Sequence, residues 1–349
     1  MLPRIAITLG DVAGVGPEVA VAACVDESLK PHCRLMLVGH IEIARRAAEL
    51  LGFDLKFASV ESPQFDLPIG TIGVWNPGGS NDPAHVPAGQ VDARAGQGAF
   101  HWLTSSTREA LAGNIDAITT APLNKYALHE AGHDFPGHTE ILADVCGVDE
   151  FAMMLYLPPD ALNGIREVIG SDDTKAAGLG IAHVTLHTSV ASVPGLLSKA
   201  AVSDTIRLMH NFLGRIGNRQ EVGVAALNPH AGEDGLFGDE EARIIAPAVK
   251  TTMGEGIAAQ GPFPTDTLIR RAIRGEFDGV VAMYHDQGHI PFKLIGFDRA
   301  VNVTLGLPIV RTSPSHGTAF DIAWQGKADP RGMIESIRLA AQLVPKTKK

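Results

Sequence analysis

Tyr284-His285-Asp286-Gln287-Gly288-His289 follows an apolar run, residues 277–283, that reads as a buried strand. Open α/β sheets bind ligands beyond the carboxyl ends of their strands. Imidazole and carboxylate delivered together at such an end suit two tasks. They ligate divalent metals, and they move protons near neutral pH. The plain alternative is a hydrogen-bonded core or surface histidine. Two more segments share the layout. Leu227-Asn228-Pro229-His230-Ala231-Gly232-Glu233 follows the apolar run 222–227, and Ile181-Ala182-His183-Val184-Thr185-Leu186-His187-Thr188 carries two histidines. Three strand ends, each presenting a His, build a three-His site with an open position for substrate if they converge.

Other segments offer binding chemistry. Gly10-Asp11-Val12-Ala13-Gly14-Val15-Gly16-Pro17-Glu18 is a Gly-rich strand-to-helix turn, able to present N–H groups to an anion. It matches neither common nucleotide fingerprint, and a tight turn needing left-handed glycines explains it as well. Thr119-Thr120-Ala121-Pro122-Leu123-Asn124-Lys125 puts hydroxyls and a Lys after a strand. His138 and Thr139, in Phe135-Pro136-Gly137-His138-Thr139-Glu140, precede a helix expected at 141–145; they suit either an anion or a capping box. Lys293, Asn302 and Arg311 border apolar runs and suit a phosphate or carboxylate, or else surface ion pairs.

The elements that must position these residues alternate. Strands are expected at 5–9, 34–38, 71–75 and 115–120, and helices from Pro17, at 41–51, 95–112, 198–213 and 243–253. Residues 76–89 read as a long loop and 158–180 as a loop or short-helix excursion. Such alternation predicts a largely parallel, doubly wound α/β fold.

Composition narrows the function. A formal charge of 29 − 39 = −10 argues against a nucleic-acid footprint, and the basic 346–349 tail reads as solvated. Hydrophobic content of 45% with 5% aromatics suits an aliphatic α/β core. Cys24, Cys33 and Cys146 form no Cys-x-x-Cys, which points to a reducing compartment. With no leader and no run long enough to span a bilayer, a soluble cytoplasmic protein is expected.

His316-Gly317-Thr318-Ala319-Phe320-Asp321-Ile322-Ala323 resembles the adenine-side NAD loop of the isocitrate and isopropylmalate dehydrogenases, which oxidise a β-hydroxy acid and use a divalent metal in decarboxylating the keto acid. With that loop, nearly the whole chain resembles the 4-hydroxythreonine-4-phosphate dehydrogenase (PdxA) family of vitamin B6 biosynthesis. The resemblance runs through the Gly10–Pro17 turn, Ala121-Pro122-Leu123-Asn124-Lys125, Gly137-His138-Thr139-Glu140, Asn228-Pro229-His230-Ala231-Gly232-Glu233 and Tyr284-His285-Asp286-Gln287-Gly288. It implies His187, His230 and His285 as ligands of zinc, magnesium or cobalt, with His183 and His289 in reserve. It implies substrate contacts at His138, Thr139, Lys293, Asn302 and Arg311. Asp266, Asp286 and Lys293 would serve catalysis, the two acids in the metal's outer shell or in proton transfer. His316, Gly317, Thr318 and Asp321 would hold NAD or NADP.

The implied fold is isocitrate/isopropylmalate dehydrogenase-like: two α/β domains with a cleft between them, in a homodimer with the site at its interface. Residues 1–130 plus 295–349 would form the first domain, with the cofactor loop. Residues 131–294 would form the second, with the metal histidines and the dimer interface. The implied reaction oxidises 4-phosphohydroxy-L-threonine to 2-amino-3-oxo-4-phosphooxybutanoate, which decarboxylates to 3-amino-2-oxopropyl phosphate. Asp11-Val12 and Ala121 depart from the commonest family pattern, and 158–180 is long. The alternatives are a paralogue acting on erythronate or threonate 4-phosphate or an aromatic cis-dihydrodiol, and a metal-dependent hydrolase or acyl-phosphate transferase on a similar scaffold.

Overall fold

The computed structural model describes residues 2–78, 83–170, 177–217 and 219–345. The chain forms two compact units, Met1–Asp149 with Leu307–Lys349, and Glu150–Gly306. Elements run β1 (Arg4–Thr8), α1 (Gly16–Cys24), β2 (Arg34–Val38), α2 (Ile41–Leu50), β3 (Lys56–Val60), β4 (Thr71–Trp75), α3 (Ala93–Leu111), β5 (Ala117–Thr120), α4 (Lys125–Glu130) and α5 (His138–Cys146) in the first unit. The second unit holds β6 (Ala152–Leu157), α6 (Asn163–Val168), β7 (Leu179–His183), α7 (Val193–Leu196), α8 (Lys199–Ile216), β8 (Val222–Ala225), α9 (Ala246–Gly254), β9 (Ala259–Phe263), α10 (Thr265–Ile273), β10 (Gly279–Ala282), α11 (His285–Gly296) and β11 (Val301–Leu305). The chain then returns to the first unit with β12 (Arg311–Pro314) and α12 (Arg331–Leu343).

Strand order in the first unit is β3-β4-β2-β1-β5-β12, and its described pairings are all parallel. The second unit runs β11-β6-β7-β10-β8-β9. There β6 is antiparallel to both β7 and β11, and the other described pairings are parallel. Strands such as β5, β7, β8 and β10 are buried at every residue. They therefore read as short continuous apolar runs.

Local chemistry starts and stops the helices. Asp92, Asn124 and Ser198 each cap a helix by accepting backbone N–H groups, at 2.8–3.1 Å. Gly147 and Gly217 close α5 and α8 in the left-handed conformation.

The unit boundaries differ from the sequence expectation. Residues 131–149 belong to the first unit because Ile141 and Leu142 of α5 share a core with Leu103, Ile118 and Leu128. Residues 295–306 belong to the second because β11 pairs with β6. The excursion at 158–180 forms a 3-10 turn, Pro159–Leu162, and α6; its residues 171–176 lie outside the described residues, as does the 346–349 tail. No helix among the described residues is long and apolar enough to cross a membrane.

Candidate functional site

In the second unit, the His-Asp-His segment is helical, not a loop. His285 opens α11, so His289 lies one turn on and its ring stacks on that of His285, centroids 3.7 Å apart at 10°. Gln287, almost fully buried, fixes this helix start. It accepts from Met283 N at 2.6 Å and donates to Ala226 O at 2.6 Å and Thr265 Oγ1 at 2.8 Å. One amide thereby ties together the carboxyl ends of β10 and β8 and the start of α10.

β7 ends at His183, so the two histidines of that segment part company. His183 is buried, and its Nε2 lies 3.1 Å from His289 Nδ1. Gly288 passes so close to His183 that a side chain there would clash. Burial and the neighbouring imidazoles push His183 down to about 3 and His289 down to about 4. Both rings are therefore neutral; His289 Nδ1 also lies 3.2 Å from His285 O, and His183 Nδ1 lies 3.4 Å from Met153 O. His187 lies beyond the strand, exposed, and shares a 420 Å³ pocket with His285, Asp286 and Tyr284. The His187 and His285 rings are 5.7 Å apart. Asp286 Oδ1 is 2.7 Å from His285 Nδ1. That contact places the proton on Nδ1 and leaves Nε2 as the lone-pair nitrogen, the usual carboxylate–histidine arrangement behind a metal.

His230 stands in a different setting. It is exposed, and its described ring contact is Phe237, at 6.3 Å. Residues 230–234 form a left-handed run, with φ of 53°, 54°, 82°, 44° and 53°. Glu241, 5% exposed, holds the start of this loop by accepting from Leu227 N at 2.8 Å and Asn228 N at 2.7 Å. Among the described residues no group of three His, Cys, Asp or Glu is arranged to hold a metal by itself. The donor chemistry at His187 and His285 nonetheless fits a divalent cation: two neighbouring imidazoles, one with its tautomer fixed. Asp266 is exposed on the first turn of α10 and lines a 640 Å³ groove with Asp286. Lys293 is exposed one turn beyond His289, 5.9 Å from the Phe297 ring centre. Asn302 Oδ1 is buried with no hydrogen-bond partner among the described residues.

In the first unit, Arg311 opens β12 and is 2% exposed, with Nε and Nη2 donating to Thr120 Oγ1 at 3.2 and 2.7 Å. Burial brings it down to about 10, with Glu140 partly opposing, so the guanidinium remains charged at neutral pH. Burial, and then Arg311, hold His138 well below the ordinary imidazole value. His138 and Thr139 are the first residues of α5, whose N-cap is Gly137 with no side-chain cap bond, so the capping-box reading of Thr139 falls. What stands there is a helix N-terminus, a neutral imidazole, a hydroxyl and a buried guanidinium, which suits an anionic group.

The Gly10–Pro17 turn and the His316 loop are built as one piece. Val15 N donates to Thr318 O at 3.0 Å, and a Cβ on Gly14 would lie 2.7 Å from that oxygen. His316 Nδ1 pairs with Gly317 O at 3.0 Å, while its Nε2 is buried without a partner among the described residues. An orphaned ring nitrogen beside the open Gly317 fits a polar ligand such as a dinucleotide. Asp321 is exposed. Sequence reasoning missed Glu18, Glu241 and Gln287, because a buried polar anchor and an ordinary surface residue look alike in a sequence.

A family profile described as "Pyridoxal phosphate biosynthetic protein PdxA" matches residues 31–340. The chain is 42% identical to the D-threonate 4-phosphate dehydrogenase of Cupriavidus necator, over 98% of this chain and 97% of that one. It is 43% identical to the 4-hydroxythreonine-4-phosphate dehydrogenase of Desulfosudis oleivorans, over 97% and 95%. The crystal structure of 4-hydroxythreonine-4-phosphate dehydrogenase from Klebsiella pneumoniae superposes with a TM-score of 0.83 at 40% identity, covering 98% of this chain and 100% of that one. At the level of fold alone, a β-decarboxylating dehydrogenase of Thermococcus kodakarensis (TM-score 0.51, 16% identity, 96% and 82% covered) and a phosphotransacetylase of Staphylococcus aureus (0.54, 14%, 98% and 94%) are similar. Fold therefore does not choose between redox and acyl-transfer chemistry, but the full-length relatives do: the chain belongs to the PdxA family of dehydrogenases.

Proposed function

We propose that this chain oxidises the C3 hydroxyl of a small 4-phosphorylated acid, using NAD or NADP and a divalent cation held by His187, His230 and His285. The observation that carries the reading is the Asp286 carboxylate on His285 Nδ1, beside His187. When bound, the cation would supply Lewis-acid stabilisation of oxygen charge, and the nicotinamide would accept hydride.

The protein's own groups account for the rest. Asp286 fixes the tautomer of His285. Asp266 and Asp286 are exposed carboxylates in the first turns of their helices, able to accept the hydroxyl proton. Lys293, on a flexible stem, holds or returns a proton. Arg311, His138 and Thr139 take anionic oxygens, the neutral imidazole adding no charge of its own. Asn302, with its orphaned oxygen, orients a donor of the substrate. His316, Gly317, Thr318 and Asp321 hold the adenine side of the dinucleotide. Loss of CO2 from the resulting β-keto acid completes the reaction.

The first substrate in this reading is 4-phosphohydroxy-L-threonine, which places the enzyme in pyridoxine biosynthesis. D-threonate 4-phosphate is the second, favoured by the C. necator relative at nearly the same identity. The two differ at C2, where one carries an amine and the other a hydroxyl. NADH formation with each, at fixed metal, decides between them; no turnover of either sinks the reading. The same reading includes a homodimer. Val168, Ile290 and Leu294 are 80%, 56% and 83% exposed around the groove that holds Asp266 and Asp286. A second copy would cover this apolar face. Its mass in solution, by light scattering, checks that.

A further inference from the structure

Glu18 lies in the first turn of α1, yet it is 1% exposed. Both of its oxygens serve one loop: Oε2 accepts from Trp324 N at 2.7 Å and Oε1 from Gly326 N at 2.8 Å. Burying a carboxyl is costly unless its oxygens are satisfied. Here they are satisfied by backbone, not by a cation, so the side chain specifies a backbone path. That path needs specifying. Trp324 sits at φ 58° and Ala319 at φ 43°, conformations that side-chain-bearing residues disfavour.

The rest of Trp324 is held as well. Its Nε1 donates to Val12 O at 2.7 Å, and the exposed Arg46 guanidinium lies 3.7 Å from the ring centre. At the other end of the loop, Val15 N holds Thr318 O. The segment carrying His316, Gly317 and Thr318 thus has its exit braced by Glu18, a residue that makes none of the binding contacts proposed above.

We infer that Glu18 is a positioning residue for the dinucleotide, fixing the backbone of residues 316–326 so that His316 and Gly317 are presented ready-formed. The inference rests on the cofactor reading above. A loop already ordered loses less entropy when it binds, so its brace appears in cofactor affinity.

Glu18→Gln keeps the volume but leaves one acceptor and turns an NH2 toward a peptide N–H. In full-length protein, the Kd for NADH and the KM for NAD rise about tenfold, a loss typical of hydrogen bonds to a charged group. The kcat and the KM for the phosphorylated acid change little. Trp324 emission, identified by difference from Trp324→Phe, shifts to the red in Glu18→Gln whether or not cofactor is present. Arg46→Ala alters only the exposed face of the indole and raises the NADH Kd in the same direction by less; it carries the test if Glu18→Gln does not fold. Wild-type affinity in Glu18→Gln, or in Arg46→Ala where that stands in, overturns the positioning role. Wild-type protein that binds no NADH or NADPH instead overturns the cofactor reading itself.

Discussion

The His316 loop of the first unit and the His230 loop of the second are both held by a buried glutamate, and both contain left-handed residues that are not glycine. They differ in where the glutamate grips. Glu18 accepts from Trp324 and Gly326, so it grips Trp324, one of that loop's two left-handed residues with side chains, directly. Glu241 accepts from Leu227 and Asn228, upstream of the strained run at 230–234. That run is tied instead by Phe237 N, which donates to Gly232 O at 3.1 Å, and Leu236 N, which donates to Glu233 O at 3.0 Å. Each left-handed residue costs roughly 1–2 kcal/mol, and four of the five at 230–234 carry side chains. Strain of this kind persists where surrounding contacts or a ligand repay it. The first loop has those contacts within the protein; the second presents its imidazole to solvent. The difference predicts a preformed His316 loop and a His230 loop whose conformation a ligand would stabilise.

His230→Ala tests the second loop most directly. The residue is exposed, so the fold and thermal midpoint should hardly change. If His230 holds the cation as proposed, it contributes several kcal/mol to the transition state, and kcat/KM should fall about 10³-fold or more. Metal affinity, followed by competition with a chelating dye, should fall with it. Retained activity and affinity would remove His230 from the metal site and leave the strained run without a ligand to repay it.

A second test bears on the preformed region. Asp11 is fully buried in the Gly10–Pro17 turn; Oδ1 accepts from Ala13 N at 2.9 Å, and the backbone N–H of Asn124 also faces the carboxyl. Burial pushes it up to about 6, the Ala13 N–H pulls part of that back, Asp92 adds to the rise, and the Asn124 N–H lowers it a little. A carboxyl with a raised folded-state value contributes stability that is present below its unfolded value, near 3.8, and lost as pH rises through about 6. The loss is of order 3 kcal/mol between pH 4 and 7. Asp11→Asn keeps the acceptor for Ala13 and cannot titrate. The buried His138, His183 and His289 change stability in the opposite direction over the same window, so the readout is the difference: the urea midpoint of the wild type should fall relative to that of Asp11→Asn between pH 4 and 7. Parallel pH profiles would show that the turn is looser and wetter than its packing implies.

These two regions were unequally legible in the sequence. The His316 loop and the Gly10–Pro17 turn were visible as separate segments, but the bonds joining them run between Thr318 and Val15 and between Glu18 and Trp324, some 300 positions apart. No local pattern encodes such pairs. Strands β5, β7, β8 and β10 were readable because continuous apolar runs bounded by turns mark buried strands. The start of α11 was not: His285-Asp286-Gln287-Gly288 carries no capping side chain or helical apolar repeat, and tertiary bonds from Gln287 supply what local sequence lacks. That is also why His285 and His289 looked like alternatives when the structure makes them a stacked pair. The domain boundaries moved because α5 and β11 were assigned by sequence position, whereas Ile141, Leu142 and the β6 pairing decide where they pack.

The smallest effect tests the second region at its best-defined point. Asp286 is 62% exposed on its side chain and contributes little to folding, so Asp286→Asn should leave the thermal midpoint where it is. Asn retains an oxygen to accept from His285 Nδ1, so the tautomer survives and only the charge behind the ring is lost. Partners of this kind tune ligand basicity, and their loss lowers metal affinity or activity by about 10–100-fold. The expected result is therefore weaker metal binding with an unchanged fold, and partial recovery of activity at saturating metal. If activity falls while metal affinity does not, Asp286 acts on the proton of the substrate instead. If neither changes, the pairing with His285 is a surface contact, and the second unit lacks the one fixed element that its part of the comparison rests on.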